Sequence, residues 1–268
     1  SCVGVVDDVV VVDDGEKKFV QVRCGWCFTI ALDREGYVWG CGRNKEGQLG
    51  LGDTKNRLVL TKISDQQFVA ISCGIWHTMA IDKEGCIWSC GGNMQGQLGH
   101  GDFTGRLLLT RIPTDPEHTF ASISCGNHFT MAIDKNGCLW RCGDNTDGQL
   151  GLNDYEGRNF FTRSSQNNCD SVTSFSPTDS VTPFSPTDRT LKENVTSVCC
   201  SGHITMVIDE HDHLWVCGSN EYGQLGLDDG TEKAIFTKVP LDRVTKLMNE
   251  SIKKNGCNTK GAHYRRSQ

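Results

Sequence analysis

The stretch "DKEGCIWSCGGNMQGQLGHGD", residues 82–102, sets two cysteines among glycines, a histidine and carboxylates. Those residue types could hold a metal or cradle a phosphate. Cys24-Gly25-Trp26-Cys27 adds a CxxC, and Cys199, Cys200 and His203 lie within five residues of one another. None of these completes its chemistry. The CxxC stands alone, and no complementary pair accompanies Cys199, Cys200 and His203, whereas a structural zinc needs four ligands. Cys86/Cys90 and Cys138/Cys142 are spaced i, i+4; on an extended strand, at roughly 3.3 Å per residue, that is about 13 Å, too far to share one zinc. No Lys-Ser/Thr pair and no long helix follow the glycines, as a phosphate loop requires, and no Ser/His/Asp grouping stands out. The expectation is therefore no metal, no cofactor and no covalent catalysis.

The same stretch recurs at residues 33–53, 134–154 and 209–229, with the first glycine of "GQLG" at Gly47, Gly96, Gly148 and Gly223. A site needed once is seldom built four times, and steps of 49, 52 and 75 residues are those of blades or solenoid units. Each unit holds four alternating segments. The first carries Val20/Val22/Cys24, Val69/Ile71/Cys73, Ala121/Ile123/Cys125 and Thr196/Val198/Cys200. The second is apolar on both faces, as in Met79/Ile81 and Ala80. After a turn with Asp, the third places Trp39/Cys41, Trp88/Cys90, Trp140/Cys142 and Trp215/Cys217 on one side. The fourth runs from Arg57, Arg106, Arg158 and Lys233, each four residues after an Asp, a spacing that predicts a repeated ion pair. Four short strands per unit predict an all-β chain, a β-propeller of four-stranded antiparallel blades. Four full blades, with residues 5–12 and 239–248 as partial strands, predict an open arc or a small ring instead of a complete disc.

The expected layout is an N-terminal strand or partial blade over 1–18, the propeller over 19–240 and a basic tail over 241–268. The tail holds seven Lys/Arg against two Asp/Glu, so a net charge of -6 divides into +5 there and -11 elsewhere, and the body should not attract nucleic acid. Fifteen cysteines, an odd number that mostly falls at equivalent repeat positions, suggest free, buried thiols. With no apolar run near 18 residues and no signal pattern, the expectation is a soluble intracellular protein, cytoplasmic with the nucleus as the alternative, and no membrane contact. Residues 164–193 interrupt the last repeat step and contain a tandem copy, "SVTSFSPTD" then "SVTPFSPTD", too poor in large apolar residues to order itself. Limited proteolysis is expected to cut there first and leave both flanking pieces associated; protection across 171–188 would contradict this.

"ISCGIWHTMAIDKEGCIWSCGGNMQGQLGHGD", residues 71–102, resembles a repeat of the regulator of chromosome condensation family, seven-bladed propellers whose best-known member is the exchange factor for the small GTPase Ran. The chain departs from the family pattern in the third strand, where Cys replaces the usual second aromatic, and at the usual His before Thr, kept only at His77. If the repeated residues are scaffold, binding belongs to positions that differ between units. Trp26, Phe28, Trp76, His77, His128, Phe129 and His203 follow the first strand at equivalent points and should ring one face, where aromatic and His side chains suit protein recognition; packing between blades is the alternative, for Phe28 and Phe129 as much as the rim and for Trp76 and His77 less so. The resemblance thus implies a non-catalytic protein-protein interaction propeller, with nucleotide exchange on a Ran-like small GTPase as the alternative. A weak chromatin or nucleic-acid contact through Lys253, Lys254, Lys260, Arg265 and Arg266 is a third reading. The plant ultraviolet-B photoreceptor shares the fold and uses clustered Trp; Trp26 and Trp76, unaligned in the repeat, are not expected to form such a cluster.

Overall fold

The computed structural model describes residues 17–115, 117–163, 191 and 194–240. Residues 5–12, the tandem copy and the basic tail lie outside the described residues. Sixteen strands form four antiparallel four-stranded sheets, each in simple sequence order. The first blade is β1 (Phe19–Cys24), β2 (Phe28–Asp33), β3 (Val38–Gly42) and β4 (Arg57–Lys62). The second is β5 (Phe68–Cys73), β6 (His77–Asp82), β7 (Ile87–Gly91) and β8 (Arg106–Arg111), and the third β9 (Phe120–Cys125), β10 (Phe129–Asp134), β11 (Leu139–Gly143) and β12 (Arg158–Arg163). The fourth is β13 (Val195–Ser201), β14 (Ile204–Asp209), β15 (Leu214–Gly218) and β16 (Lys233–Lys238). The second strands, apolar on both faces, lie between neighbouring sheets: β6 and β10 are buried along their whole length.

Each second-to-third-strand turn is clasped by its aspartate. Asp33, Asp82, Asp134 and Asp209 are buried. Through Oδ1 each accepts the backbone N–H four residues on, at 2.7 to 2.9 Å. Through Oδ2 each accepts the indole N–H of Trp39, Trp88, Trp140 or Trp215 at 2.8 to 2.9 Å. Burial pushes the Asp33 carboxyl up, but hydrogen bonds from Trp39 and Lys17 outweigh it and the net shift is downward. The "GQLG" loop is braced by a residue the repeat reading passed over. Asn44, Asn93, Asn145 and Asn220 are buried; each accepts from the backbone N–H of the loop leucine at 2.8 to 2.9 Å. Each also donates to the carbonyl of the following Asp at 2.7 to 2.9 Å. The ion pairs predicted from the i, i+4 spacing are present at 2.6 to 3.0 Å, and the Arg57 guanidinium holds the Asp53 carboxyl down to about 2.

The joints between blades are equally regular. First strands adjoin: Ser72 Oγ accepts from the Cys125 N–H at 3.0 Å, and Ser124 Oγ from the Cys200 N–H at 2.9 Å. The loop leucines Leu49, Leu98 and Leu150 are fully buried between sheets. The carbonyl oxygen of Gln48 accepts from Thr78 Oγ1 at 2.7 Å and from the Cys90 thiol at 3.5 Å, both on the next blade. Gln97 does the same with Thr130 and Cys142, and Gln149 with Thr205 and Cys217. The loop's outer end pairs with the next blade's fourth strand, at Leu51 with Leu108, His100 with Phe160 and Leu152 with Ile235. The recurring third-strand cysteine is thus a joint residue. Burial pushes the Cys90 thiol up to about 12 and Cys142 in the same direction, so neither is poised as a nucleophile. The twelve cysteines among the described residues are free thiols.

Candidate interaction face

The hairpin turn after each first strand and the loop after each third strand emerge on the same end of the blades. The hairpin turns are linked side by side: Ile75 N–H donates to the Asn127 carbonyl at 3.1 Å, and Asn127 N–H to the Gly202 carbonyl at 2.9 Å. Seven side chains singled out by their variability divide into two groups here. Phe28, His77 and Phe129 are interior, at 3%, 0% and 0% exposure, which selects packing between blades for the two phenylalanines and corrects the expected rim place of His77. The reason is local. Gly25, Gly74 and Gly126 each donate to the carbonyl of the residue opposite, and a side chain there would overlap the facing ring, the nearest ring atom lying 1.9 to 2.1 Å from an added Cβ. The ring fills the space the glycine leaves. In the fourth blade that pair is Ser201 opposite Ile204, a smaller side chain facing a residue with a Cβ.

Trp26, Trp76, His128 and His203 remain at the surface, and the first two meet despite their unaligned positions. Their rings stand edge to face with centroids 4.7 Å apart. Trp26 is 64% exposed, while Trp76 is half-buried beneath the Arg43 guanidinium, which lies 4.5 Å from its ring centroid. Arg43 is also within 3.4 Å of Glu46. Around the arc, His203 Nδ1 lies 2.8 Å from Asp147, and partial burial lowers the pKa of His128. The third-to-fourth-strand loops add Met94, Phe103, Tyr155 and Tyr222, each at least half exposed. Met94 and Tyr222 vary between units, as do Phe103 and Tyr155, each directly after the loop's Asp, and none of the four is among the candidates that the sequence reading names. Arg43, Met94 and Tyr222 differ from the scaffold residues only in lacking a repeated counterpart, which is the signal that could have found all five.

Among the described residues no group of three or more His, Cys, Asp or Glu is placed to hold a metal ion, and no helix is long and apolar enough to cross a membrane. What this face offers is exposed aromatic and thioether surface beside the Arg43 guanidinium, the composition of a protein interface.

The RCC1-like domain family profile matches residues 5–263. The "Protein RCC2 homolog" of Danio rerio is 32% identical over 215 residues, covering 77% of this chain and 28% of that protein. The "Secretion-regulating guanine nucleotide exchange factor" of Bos taurus is 29% identical over 111 residues, 41% of this chain and 19% of that protein. The crystal structure of Prp20p from Saccharomyces cerevisiae, reported with its binding properties to Gsp1p and histones, superposes with a TM-score of 0.67 at 19% identity, over 86% of this chain and 52% of that one. The chain thus spans less than a third of the length of these curated relatives.

Proposed function

Because the chain belongs to the RCC1-like domain family, we propose that it is a non-catalytic protein-interaction module whose loop face captures a protein partner, a small GTPase foremost. The observation that carries this reading is the Trp26–Trp76–Arg43 cluster, with Met94 exposed on the neighbouring loop. Stacked aromatic and Arg side chains are the residues that dominate binding energy at interfaces. The name of the bovine relative and the family's best-known member favour a GTPase over other proteins. Nucleotide exchange on such a GTPase is the second reading, supported by the same two points.

The test is capture and nucleotide release with a panel of small GTPases. Trp26→Ala should weaken capture by roughly 2 kcal/mol or more with the thermal melt unchanged, since the side chain is mostly in solvent. Nucleotide release accelerated by the wild-type chain would establish exchange; capture without acceleration would leave the scaffold reading. Capture of no GTPase, or capture indifferent to Trp26→Ala, would refute the assignment.

A further inference from the structure

In all four units the glutamine of the "GQLG" loop is pinned in one orientation. Its Oε1 accepts the backbone N–H two residues back, from Glu46, Gln95, Asp147 and Tyr222, at 2.9 to 3.0 Å. The amide Nε2 is thereby turned toward the first residue after the third strand, and that residue differs from blade to blade. In the third blade it is Asp144, whose Oδ2 accepts from Gln149 Nε2 at 3.0 Å and from Thr146 Oγ1 at 3.2 Å. In the fourth it is Ser219, whose Oγ accepts from Gln224 Nε2 at 3.4 Å. In the first it is Arg43, whose side chain has donors and no acceptor. Gln48 is 0% exposed, and neither its Nε2 nor Arg43 Nε, both buried, has a hydrogen-bond partner among the described residues. The first blade therefore sets two buried, unpartnered donors where the third sets a carboxylate, and buried donors of this kind call for an acceptor.

We infer that this corner of the loop face binds a carboxylate of the protein partner, an Asp or Glu side chain that takes the place Asp144 fills in the third blade. The inference rests on the loop face being the surface where a protein partner docks. The occupant is argued from the chain itself. The same socket, with its glutamine in the same orientation, holds a carboxylate in the third blade, and the guanidinium that stands there in the first reverses the charge and suits two carboxylate oxygens. Entry requires Arg43 to turn from its present pose. The contact that holds it is weak: Glu46 lies 3.4 Å away, with the two side chains 36% and 45% exposed. Trp76 under the guanidinium and Trp26 at its edge keep water from one side of the pair.

The test is a titration of the full, isotope-labelled chain with acetyl-glutamate amide against its isostere acetyl-glutamine amide, followed by NMR at the side-chain N–H groups of Arg43 and Gln48. The glutamate probe should shift both groups and saturate, and the glutamine probe should leave them in place. Arg43→Asp supplies the third blade's carboxylate from within. It should weaken the response at least about tenfold, as expected for losing hydrogen bonds to a charged group, and move the Gln48 amide toward the position of Gln149. Glu46→Gln removes the competing carboxylate at an exposed position and should strengthen binding about two- to fivefold. No response, equal responses to the two probes, an equal response to inorganic phosphate, or an Arg43→Asp variant that titrates like wild type would overturn the inference. No GTPase enters this measurement, so the two readings fail separately: a silent corner with capture intact sinks the carboxylate site alone, and saturable probe binding without capture sinks the GTPase assignment alone.

Discussion

Trp140→Ala is expected to destabilise the fold by about 3 to 5 kcal/mol, the range for a buried aromatic truncated in a packed core. The indole is 1% exposed, lies 5.8 Å from Phe120 and 4.9 Å from His118 between ring centroids, and fills the cluster that joins the second and third blades. Its N–H also donates to Asp134 Oδ2 at 2.9 Å, so truncation leaves a buried carboxylate oxygen without its donor as well as a cavity. Trp140→Phe narrows the question: it keeps much of the volume but loses the hydrogen bond and the pyrrole part of the indole, for an expected cost of at least about 1.5 to 3 kcal/mol, the range for a bond to a charged group. Trp88 and Trp215 hold the same clasp but are partly exposed, so their alanine variants should cost less. Denaturant midpoints on the set decide the matter. A Trp140→Ala loss below about 1 kcal/mol would mean that the clasp is not a structural anchor.

The blades were legible because strand periodicity is a local property: Met79/Ile81 against Ala80 shows a two-faced strand without any knowledge of its neighbours. The Asp–Arg brace was legible for the same reason, four residues apart in one loop. The joints were not. The acceptor of Thr78 and Cys90 is the main-chain oxygen of Gln48, which any residue type would supply, so recurrence marked the cysteine as important without naming its partner. Three of the candidate rim residues are interior for one shared reason. Variation between units does not by itself mean exposure: the position of Phe28, His77 and Phe129 varies because any ring of about that size can cover the preceding glycine. Variation meant exposure only where no glycine faced the side chain, at Trp26, His203 and the loop tips.

That reassignment makes His77 the origin of a pH dependence. Its Nε2 is 3.1 Å from Thr130 Oγ1, which itself donates to the Gln97 carbonyl at 2.9 Å. The hydroxyl proton is therefore committed, and the imidazole must donate through Nε2–H. Its Nδ1 is buried without a hydrogen-bond partner, so a second proton would create an unpaired cation in the joint between the second and third blades. Burial, with neighbouring His128 adding to it, pulls the His77 pKa down to about 3 from 6.5. The unfolded chain then binds the proton first, so stability is complete above about pH 6.5 and falls as pH is lowered toward 3. The slope approaches 1.36 kcal/mol per unit, on the order of 5 kcal/mol in all. Paired carboxylates such as Asp53, also lowered, lose their contribution only below about pH 4, from an unfolded pKa near 3.8. His100 and His128 are lowered by partial burial in the same sense as His77, so wild type must be compared with a variant. His77→Gln keeps an N–H donor for Thr130 and cannot titrate. Denaturant stability measured from pH 4 to 7 should lose about one proton's worth of slope in that variant, and parallel curves for the two proteins would show that His77 is not the titrating group.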